Sequence, residues 1–252
     1  SFIRWLDDVE TAAEIAGVPE EISGRLEWNY PYFPASRIPA KVSVTELKKR
    51  LFNSEVSEEA GIFPESLPEL IKKPKFMEER KGLTFAEKGA SLHFVMQHLD
   101  FARGNIEKQI EEMRGKDLLS AQQAQSVDAE KIRRFLESPL GKRMLASGKI
   151  NRETPFNIEM PCREIFGEVE HEACGGDTVL LQGIIDCWFE EPDGIVLLDY
   201  KTDYVPAGAI EKIKQRYAPQ IKYYAGALEM LTGRRVKEKY IYLFWNGQLL
   251  EF

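Results

Sequence analysis

The chain has 252 residues, of which 43% are hydrophobic, and a formal net charge of −7. A chain of this length and composition can bury a sizeable core, so we expect one large folded domain with an appended segment rather than a disordered protein. No run approaches the length of a membrane span, and the start lacks the features of a signal peptide, which predicts a soluble, cytoplasmic protein. The negative charge argues against DNA capture by the surface as a whole, although the residues after Tyr204 are locally basic.

Residues 1–40 differ in character from the rest. A helical-looking start is followed by WNYPYFPASRIPA, whose three prolines interrupt regular structure and predict an extended connector. We place a domain boundary near Ala40, so that residues 41–252 form the main domain. Because the chain begins at Ser1 without an initiator Met, we expect it to be a piece of a longer protein.

Helices are predicted in the first half of the main domain. Ser43 or Thr45 can cap a short helix in SVTELKKRL. The charged, proline-dotted stretch 54–75 is predicted to be a surface loop. Apolar residues at helical spacing then predict helices within 84–101 and 128–145.

Strands dominate the second half. Residues 153–200 contain strand-like runs, APQIKYYAGALEML returns to a helical pattern, and KYIYLFW is typical of a last strand. This order predicts an α/β fold with a mixed central sheet flanked by helices, and an extra helical region before the sheet.

Cysteine usage is typical of a reducing compartment. Cys162, Cys174 and Cys187 are odd in number and widely spaced, without a Cys-x-x-Cys pair. We therefore expect three buried thiols, with neither a disulfide framework nor a zinc or iron–sulfur cluster.

The stretch GIIDCWFEEPDGIVLLDYKTD, residues 183–203, places charges of both signs within two apolar strands. Pro-Asp-Gly between apolar runs predicts a hairpin turn. A loop formed by Pro-Asp would put Asp186 opposite Asp199, whereas a loop formed by Asp-Gly would put Asp186 opposite Lys201. In either register the three side chains share one face, and a longer loop with a bulge would shift the pairing.

Two carboxylates about 5 Å apart across a strand pair repel each other, and an apolar setting makes an unpaired charge costly. An ion pair with Lys201 would neutralise only one of them. A divalent cation accounts for both, because hard cations take carboxylate and carbonyl oxygens such as those of Asp186, Asp199 and the Tyr200 backbone. Lys201 could then hold an attacking water or stabilise charge on a phosphate. This geometry favours a metal site over a bare ion pair.

Ordered motifs along the chain resemble those of a known nuclease family. They are Gly183-x-x-Asp186, Asp199-Tyr200-Lys201-Thr202-Asp203, Gln220-x-x-x-Tyr224, and the helix GASLHFVMQHLDF with its histidine, His93. Together they resemble the RecB-like branch of the PD-(D/E)xK nuclease superfamily, most closely the C-terminal nuclease modules of AddA-type helicase–nucleases. The resemblance runs from about Lys41 to Phe252 and implies a restriction-endonuclease-like core.

The same resemblance implies roles for individual residues. The implied metal ligands are His93, Asp186, Asp199 and the Tyr200 backbone carbonyl. The implied catalytic residues are Asp186, Asp199, Lys201, Gln220 and Tyr224, and expected DNA contacts are Lys214, Arg216 and Lys222. Mg²⁺ is the implied cofactor, and Mn²⁺ should also support activity because imidazole suits manganese. His98 and His171 fall outside the motifs, and Glu153 is not counted among the ligands.

The implied function is a metal-dependent exonuclease that cuts DNA single strands in double-strand-break end resection and recombinational repair. Its implied partners are DNA, an upstream helicase part of the same polypeptide, to which residues 1–40 would connect, and an AddB-like partner protein. An iron–sulfur cluster is not implied, because the cysteines lack the required spacing. One alternative is a catalytically silent module that binds DNA or a partner, although such relatives usually lack the aspartate or the lysine. Another is a glycosidase-like hydrolase, which would not need His93 or the Gln220 motif.

Overall fold

The structure is a computed structural model that describes residues 36, 38–55, 82–166, 174, 176–206 and 208–252. Most of the predicted connector, the predicted surface loop beyond Glu55, and His171 lie outside these residues. The chain forms two compact units, one of residues 1–40 with 161–179 and the other of residues 41–160 with 180–252.

Helices and strands follow the predicted order along the described residues. The helices are α1 Val44–Glu55, α2 Phe85–His98, α3 Ile106–Gly115, α4 Ala121–Ser126, α5 Ala129–Glu137, α6 Pro139–Ala146, α7 Cys162–Phe166 and α8 Ile210–Thr232. The strands are β1 Lys41–Ser43, β2 Ile150–Pro161, β3 Thr178–Glu191, β4 Gly194–Lys201, β5 Val236–Leu243 and β6 Gln248–Glu251. Within the described ranges, none of these helices combines the length and the apolar character needed to cross a membrane.

The strands form one mixed sheet in the order β1-β3-β4-β5-β6, with β2 also paired to β3. β1 runs parallel to β3, and β4 runs parallel to β5. The β3–β4 and β5–β6 pairs are antiparallel. With α2 to α6 preceding β2, the predicted mixed sheet flanked by helices is confirmed.

The β3–β4 hairpin has the tighter of the two registers considered from sequence. Cys187 lies opposite Leu198, and Glu191 lies opposite Gly194, so the loop consists of Pro-Asp. Continuing this register by one pair places Asp186 opposite Asp199. Residues of β4 are buried at every position but the last, because the strand lies between two others and is covered on both faces.

The two faces of β4 pack against different helices. Val196, Leu198 and Tyr200 join a buried cluster with apolar side chains of α2, α3, α5 and α6, including Leu92, Val95, Met96, Leu99, Ile132, Phe135 and Leu140. Side chains alternate along a strand, so Asp199 lies on the opposite face, where Gln220 of α8 contacts it. The helical cluster thus supports the sheet from one side, while the charged side chains belong to the other.

Capping side chains define where the helices that carry site residues begin. Ser43 Oγ accepts a hydrogen bond from the backbone N–H of Glu46 at 3.2 Å, which starts α1 at one of the two predicted caps. Thr84 and Glu87 form a reciprocal capping box at the start of α2. Helix α8 begins before the predicted segment and passes through Pro219, and Gly233 ends it with φ of 67°.

The prediction of three free thiols is wrong for two of the cysteines. Cys162 and Cys174 form a disulfide, with their Cα atoms 5.5 Å apart, and Cys187 is a free, buried thiol. The pairing arises because Cys162 N–H donates to the carbonyl of Asp177, and Asp177 N–H donates to the carbonyl of Cys174. Spacing along the chain does not show such a contact, so cysteine usage gives no support to the predicted reducing compartment.

Candidate active site

Asp186 and Asp199 lie side by side at the end of the hairpin away from its turn. Asp199 is fully buried, and Asp186 is only 9% exposed. Asp186 Oδ2 accepts a hydrogen bond from the backbone N–H of Tyr200 at 2.8 Å. This bond ties the carboxylate of β3 to β4 and holds the acidic pair together.

Each oxygen of Asp199 has its own partner. Lys201 Nζ forms an ion pair with Oδ2, and Gln220 Nε2 donates to Oδ1 at 2.8 Å. Burial raises the pKa of Asp199 to about 7, and the Lys201 charge only partly opposes this effect. Burial disfavours the charge on Lys201, but the carboxylates of Asp199 and Asp186 outweigh burial and raise the pKa of the lysine. Lys201 is therefore cationic at neutral pH.

His93 brings a third group to the acidic pair. Its Nδ1 lies 3.5 Å from Asp186 Oδ1 and 3.7 Å from Oε1 of Glu153 on β2. One ligand atom from each of these three residues lies within 4.8 Å of the other two. Two carboxylates and an imidazole are donors that suit Mn²⁺, and the carboxylates also suit Mg²⁺. The residues fit a divalent cation.

Protonation of His93 and binding of a cation exclude each other. Burial opposes the charge on His93, but hydrogen bonds to Asp186 and Glu153 raise its pKa to about 10. Burial also opposes the charge on Asp186, yet the hydrogen bond and charge of His93 outweigh it and lower the pKa of Asp186. The two aspartates are thus shifted in opposite directions, as in sites that divide acid and base roles. A metal ion would have to displace the His93 proton.

Gly183 and Tyr224 pack against each other beneath the acidic pair. The Tyr224 ring is buried and meets Phe156 edge to face, with centroids 5.8 Å apart. Burial, followed by the charges of Asp199 and Asp186, raises the pKa of the Tyr224 hydroxyl, so this tyrosine senses both carboxylates. A Cβ atom on Gly183 would lie 2.6 Å from the Phe156 ring and 3.1 Å from Tyr224. The motif needs glycine here because the two rings leave no room for a side chain.

Positive charges gather around the ring of Tyr217 on α8. The ammonium groups of Lys48 and Lys201 lie 4.5 Å and 5.0 Å from its centroid, and the guanidinium of Arg216 lies 5.8 Å away. The Tyr217 hydroxyl donates to Asp203 Oδ2 at 2.8 Å, which fixes the ring. This basic cluster adjoins Asp199 through Lys201, and it suits a phosphate group.

The structure places the other predicted residues less closely. Of the three expected DNA contacts, Arg216 joins the basic cluster, whereas Lys214 is half-buried and Lys222 exposed elsewhere along α8. His98 Nδ1 lies 2.9 Å from the Phe94 carbonyl oxygen, and its ring stacks on Phe94.

Three residues of the site were missed by sequence reasoning. Glu153 was noted but not counted, and its proximity to His93 depends on the pairing of β2 with β3. Lys48 reaches the site from α1, which lies far from α8 in the chain. Gly89 lies one turn before His93, and a Cβ there would approach Thr202 Oγ1 to 3.0 Å, so glycine lets α2 lie close to the end of β4. Only the glycine within the quoted helix motif was a visible signal.

Comparison with known proteins bears directly on this arrangement. The sequence model of the PD-(D/E)XK nuclease superfamily matches residues 67–249. The chain belongs to the PD-(D/E)XK nuclease superfamily. Proteins named as the AddA-type component of an ATP-dependent helicase/nuclease are similar to all or nearly all of it: that of Acetivibrio thermocellus is 65% identical over 251 residues, covering 100% of the chain. Those of Ruminiclostridium cellulolyticum and Clostridium novyi are 48% and 44% identical and cover 98% and 99% of the chain. In each case the chain spans 20% of the relative's length.

The predicted resemblance to PD-(D/E)XK nucleases, and to AddA-type modules among them, is therefore confirmed. Asp199 and Lys201 supply the (D/E)XK half of the family signature, and Asp186 supplies its first acid. The residue before Asp186 is Ile185 rather than proline, and it is fully buried. A proline in the middle of β3 would remove a ladder hydrogen bond, which is a physical reason for the departure from the PD-(D/E)XK pattern.

Proposed function

We propose that this PD-(D/E)XK nuclease is a divalent-metal-dependent deoxyribonuclease that hydrolyses phosphodiester bonds of single-stranded DNA as an exonuclease. The observation that carries the proposal is the cluster of Asp186, Glu153 and His93 beside the Lys201–Asp199 ion pair. Three groups with oxygen and nitrogen donors converge next to a buried cation. Neither charge set would be stable in this setting without a ligand of opposite sign.

The side chains divide the work according to their charge. A bound Mg²⁺ or Mn²⁺ would be held by His93, Glu153 and Asp186, together with Asp199 as the sequence predicts, and would supply positive charge against the phosphate and acidify a water molecule. Lys201 is kept cationic by Asp199, so it stabilises negative charge that develops on the phosphate. Gln220 orients Asp199 from the other oxygen. Lys48 and Arg216 add charge that attracts the strand.

Cleavage of end-labelled single-stranded DNA tests this proposal. We expect cutting by the chain with Mg²⁺ or Mn²⁺, none with EDTA, and a loss of at least about 100-fold in the variant Asp186→Asn, because one donor and one charge leave the cluster. The asparagine keeps an oxygen for the Tyr200 N–H. The variant Asp186→Ala should also be inactive, but it should unfold at a lower temperature because that buried N–H loses its partner, at a cost of about 1–3 kcal/mol.

Two results would contradict the proposal. Equal cutting by wild type and Asp186→Asn would show that the cluster is not the active site. DNA binding without cleavage under any metal condition would indicate instead a silent nuclease-like module. The position of the label in the products distinguishes an exonuclease from an endonuclease.

We further propose that the chain is the nuclease part of a longer helicase–nuclease polypeptide. The names of its relatives and the 20% of their length that it spans support this assignment. The nuclease would then cut strands unwound by the attached helicase during double-strand-break resection in the cytoplasm, alongside an AddB-like partner protein. In the longer protein, Asp186→Asn should abolish cleavage and leave ATP-dependent unwinding intact. Loss of unwinding as well would contradict the separation of the two activities.

A further inference from the structure

Two large aromatic side chains stand exposed beside the active site. Tyr204 is 62% exposed and Trp245 is 48% exposed. Their ring centroids are 4.8 Å apart, and the ring planes meet at 80°. Each ring therefore braces the other while much of its surface remains open to solvent. Aromatic rings of this size are normally covered in a folded protein, since each can bury roughly 150 to 250 Å² of mostly apolar surface.

Both rings extend from the edge of the sheet that carries Lys201. β4 ends at Lys201, and its parallel neighbour β5 ends at Leu243, directly across in the register. Tyr204 follows the end of β4, and Trp245 follows the end of β5. The backbone N–H of Phe244 donates to the carbonyl of Lys201 at 2.8 Å, so the two strand ends are joined where the rings begin. The aromatic pair is thereby fixed relative to the catalytic lysine.

Positive charge accompanies the aromatic pair. The ammonium of Lys131, on α5, lies 5.5 Å from the centroid of the Trp245 ring. The basic cluster around Tyr217 contributes Lys201 on the same strand end as Tyr204. Exposed aromatic faces with cations near them match the chemistry of a single-stranded nucleic acid, in which bases stack on rings and phosphates meet ammonium groups.

We propose that Tyr204 and Trp245 form a base-stacking platform that holds an unpaired nucleobase of the DNA strand next to the bond being cut. This inference rests on the proposed function and adds the origin of its preference for single strands. Bases within a duplex are already stacked on each other, so their faces are not available to the platform. Stacking on a ring tolerates any base, which suits a nuclease that cuts without regard to sequence.

Binding of short labelled oligonucleotides, followed by fluorescence anisotropy in EDTA, separates stacking from charge. The probes are single-stranded oligo-dT, an abasic strand of equal length and a duplex. Trp245→Ala and Tyr204→Ala should each weaken oligo-dT binding by about 5- to 100-fold. They should leave binding of the abasic strand unchanged. Trp245→Phe keeps a ring and should retain most of the affinity, and Met230→Ala, which removes a side chain that is 61% exposed on α8, serves as the surface control.

The outcomes distinguish this inference from the proposed function. Unchanged oligo-dT binding by Trp245→Ala and Tyr204→Ala, or an equal loss on the abasic strand, would overturn the platform, and unchanged DNA binding would leave the rings as a surface for a protein partner. If wild type cuts DNA and both alanine variants cut it with the same KM, the nuclease stands and the platform falls. If wild type neither binds nor cuts any probe, the proposed function falls and the platform with it.

Discussion

Lys48 carries its charge at a position where the folded protein disfavours it. Burial, followed by the charges of Lys201 and Arg216, lowers its pKa to about 8, although Asp199 and Asp203 partly oppose this shift. The ammonium lies over the Tyr217 ring rather than in water. A cation held beside other cations costs stability and is offset when an anion binds, which is the behaviour expected of a phosphate contact.

Replacement of Lys48 by methionine should therefore stabilise the free protein and weaken its binding to DNA. Because the folded-state pKa lies below the unfolded value of 10.5, the cost of charging Lys48 is complete below pH 8 and fades as the pH rises towards 10.5. At pH 7 we expect Lys48→Met to raise the free energy of unfolding by about 1–3 kcal/mol, and at pH 10 by much less. Thermal unfolding at the two pH values measures the first effect, and oligonucleotide binding measures the second. Lys49→Met, at the neighbouring lysine, should show neither; a lower melting temperature for Lys48→Met would refute the argument.

At the scale of secondary-structure elements, β3 can reach its partners because it lacks a side chain at Gly183. The ring atoms of Phe156 lie 2.6 Å and 2.7 Å from the position that a Cβ would take, and Tyr224 of α8 closes the other side. Two elements thus press on β3 three residues before Asp186. The Gly-x-x-Asp spacing couples the packing of the strand to the position of the carboxylate.

Gly183→Ala should displace β3 and disturb the cluster. Overpacking costs about 1–3 kcal/mol, so the melting temperature should fall, and cleavage should fall with it because Asp186 moves relative to His93. A second change, Phe156→Leu, should recover part of both losses by making room. The matched control is Gly226→Ala on α8, where a Cβ meets nothing within 4 Å and should stabilise the helix by about 0.5–1 kcal/mol. Full activity in Gly183→Ala would show that the strand does not position the carboxylate.

At the scale of the whole molecule, the binding of a metal ion should appear as a gain in stability. The net charge is −7, and the described cluster concentrates two carboxylates around His93. An ion that binds only the folded chain stabilises it by about 1.4 kcal/mol for each tenfold increase in concentration above the dissociation constant. The same linkage makes EDTA destabilising.

Thermal unfolding at increasing Mn²⁺ or Mg²⁺ concentration measures this gain. We expect the melting temperature of wild type to rise steadily, and to rise less at lower pH because His93 must release a proton whose pKa is about 10 in the metal-free protein. The double variant Asp186→Asn with Glu153→Gln should show no comparable rise. An equal rise in both proteins would place the stabilising ion elsewhere.

Also at this scale, local signals in the sequence were sufficient for the framework of the fold. The alternation and turn residues around Pro192 predict the β3–β4 hairpin, and its apolar runs predict a central strand. Apolar spacing around Val95 and Phe135 predicts the helices that cover one face. These signals act over a few residues at a time, so they survive without knowledge of the rest of the chain.

The sequence by itself determined that Asp186, Asp199 and Lys201 share one face of a hairpin, since side-chain alternation and a tight turn leave few other arrangements. Only the tertiary structure decided that Glu153 joins His93, that Lys48 reaches Tyr217, and that Cys162 pairs with Cys174. It also decided that Tyr204 and Trp245 meet at one edge of the sheet, because β4 and β5 are parallel neighbours joined through α8. Contacts of this kind depend on which elements become neighbours, and that choice is made by packing of the whole core rather than by any local pattern of residues.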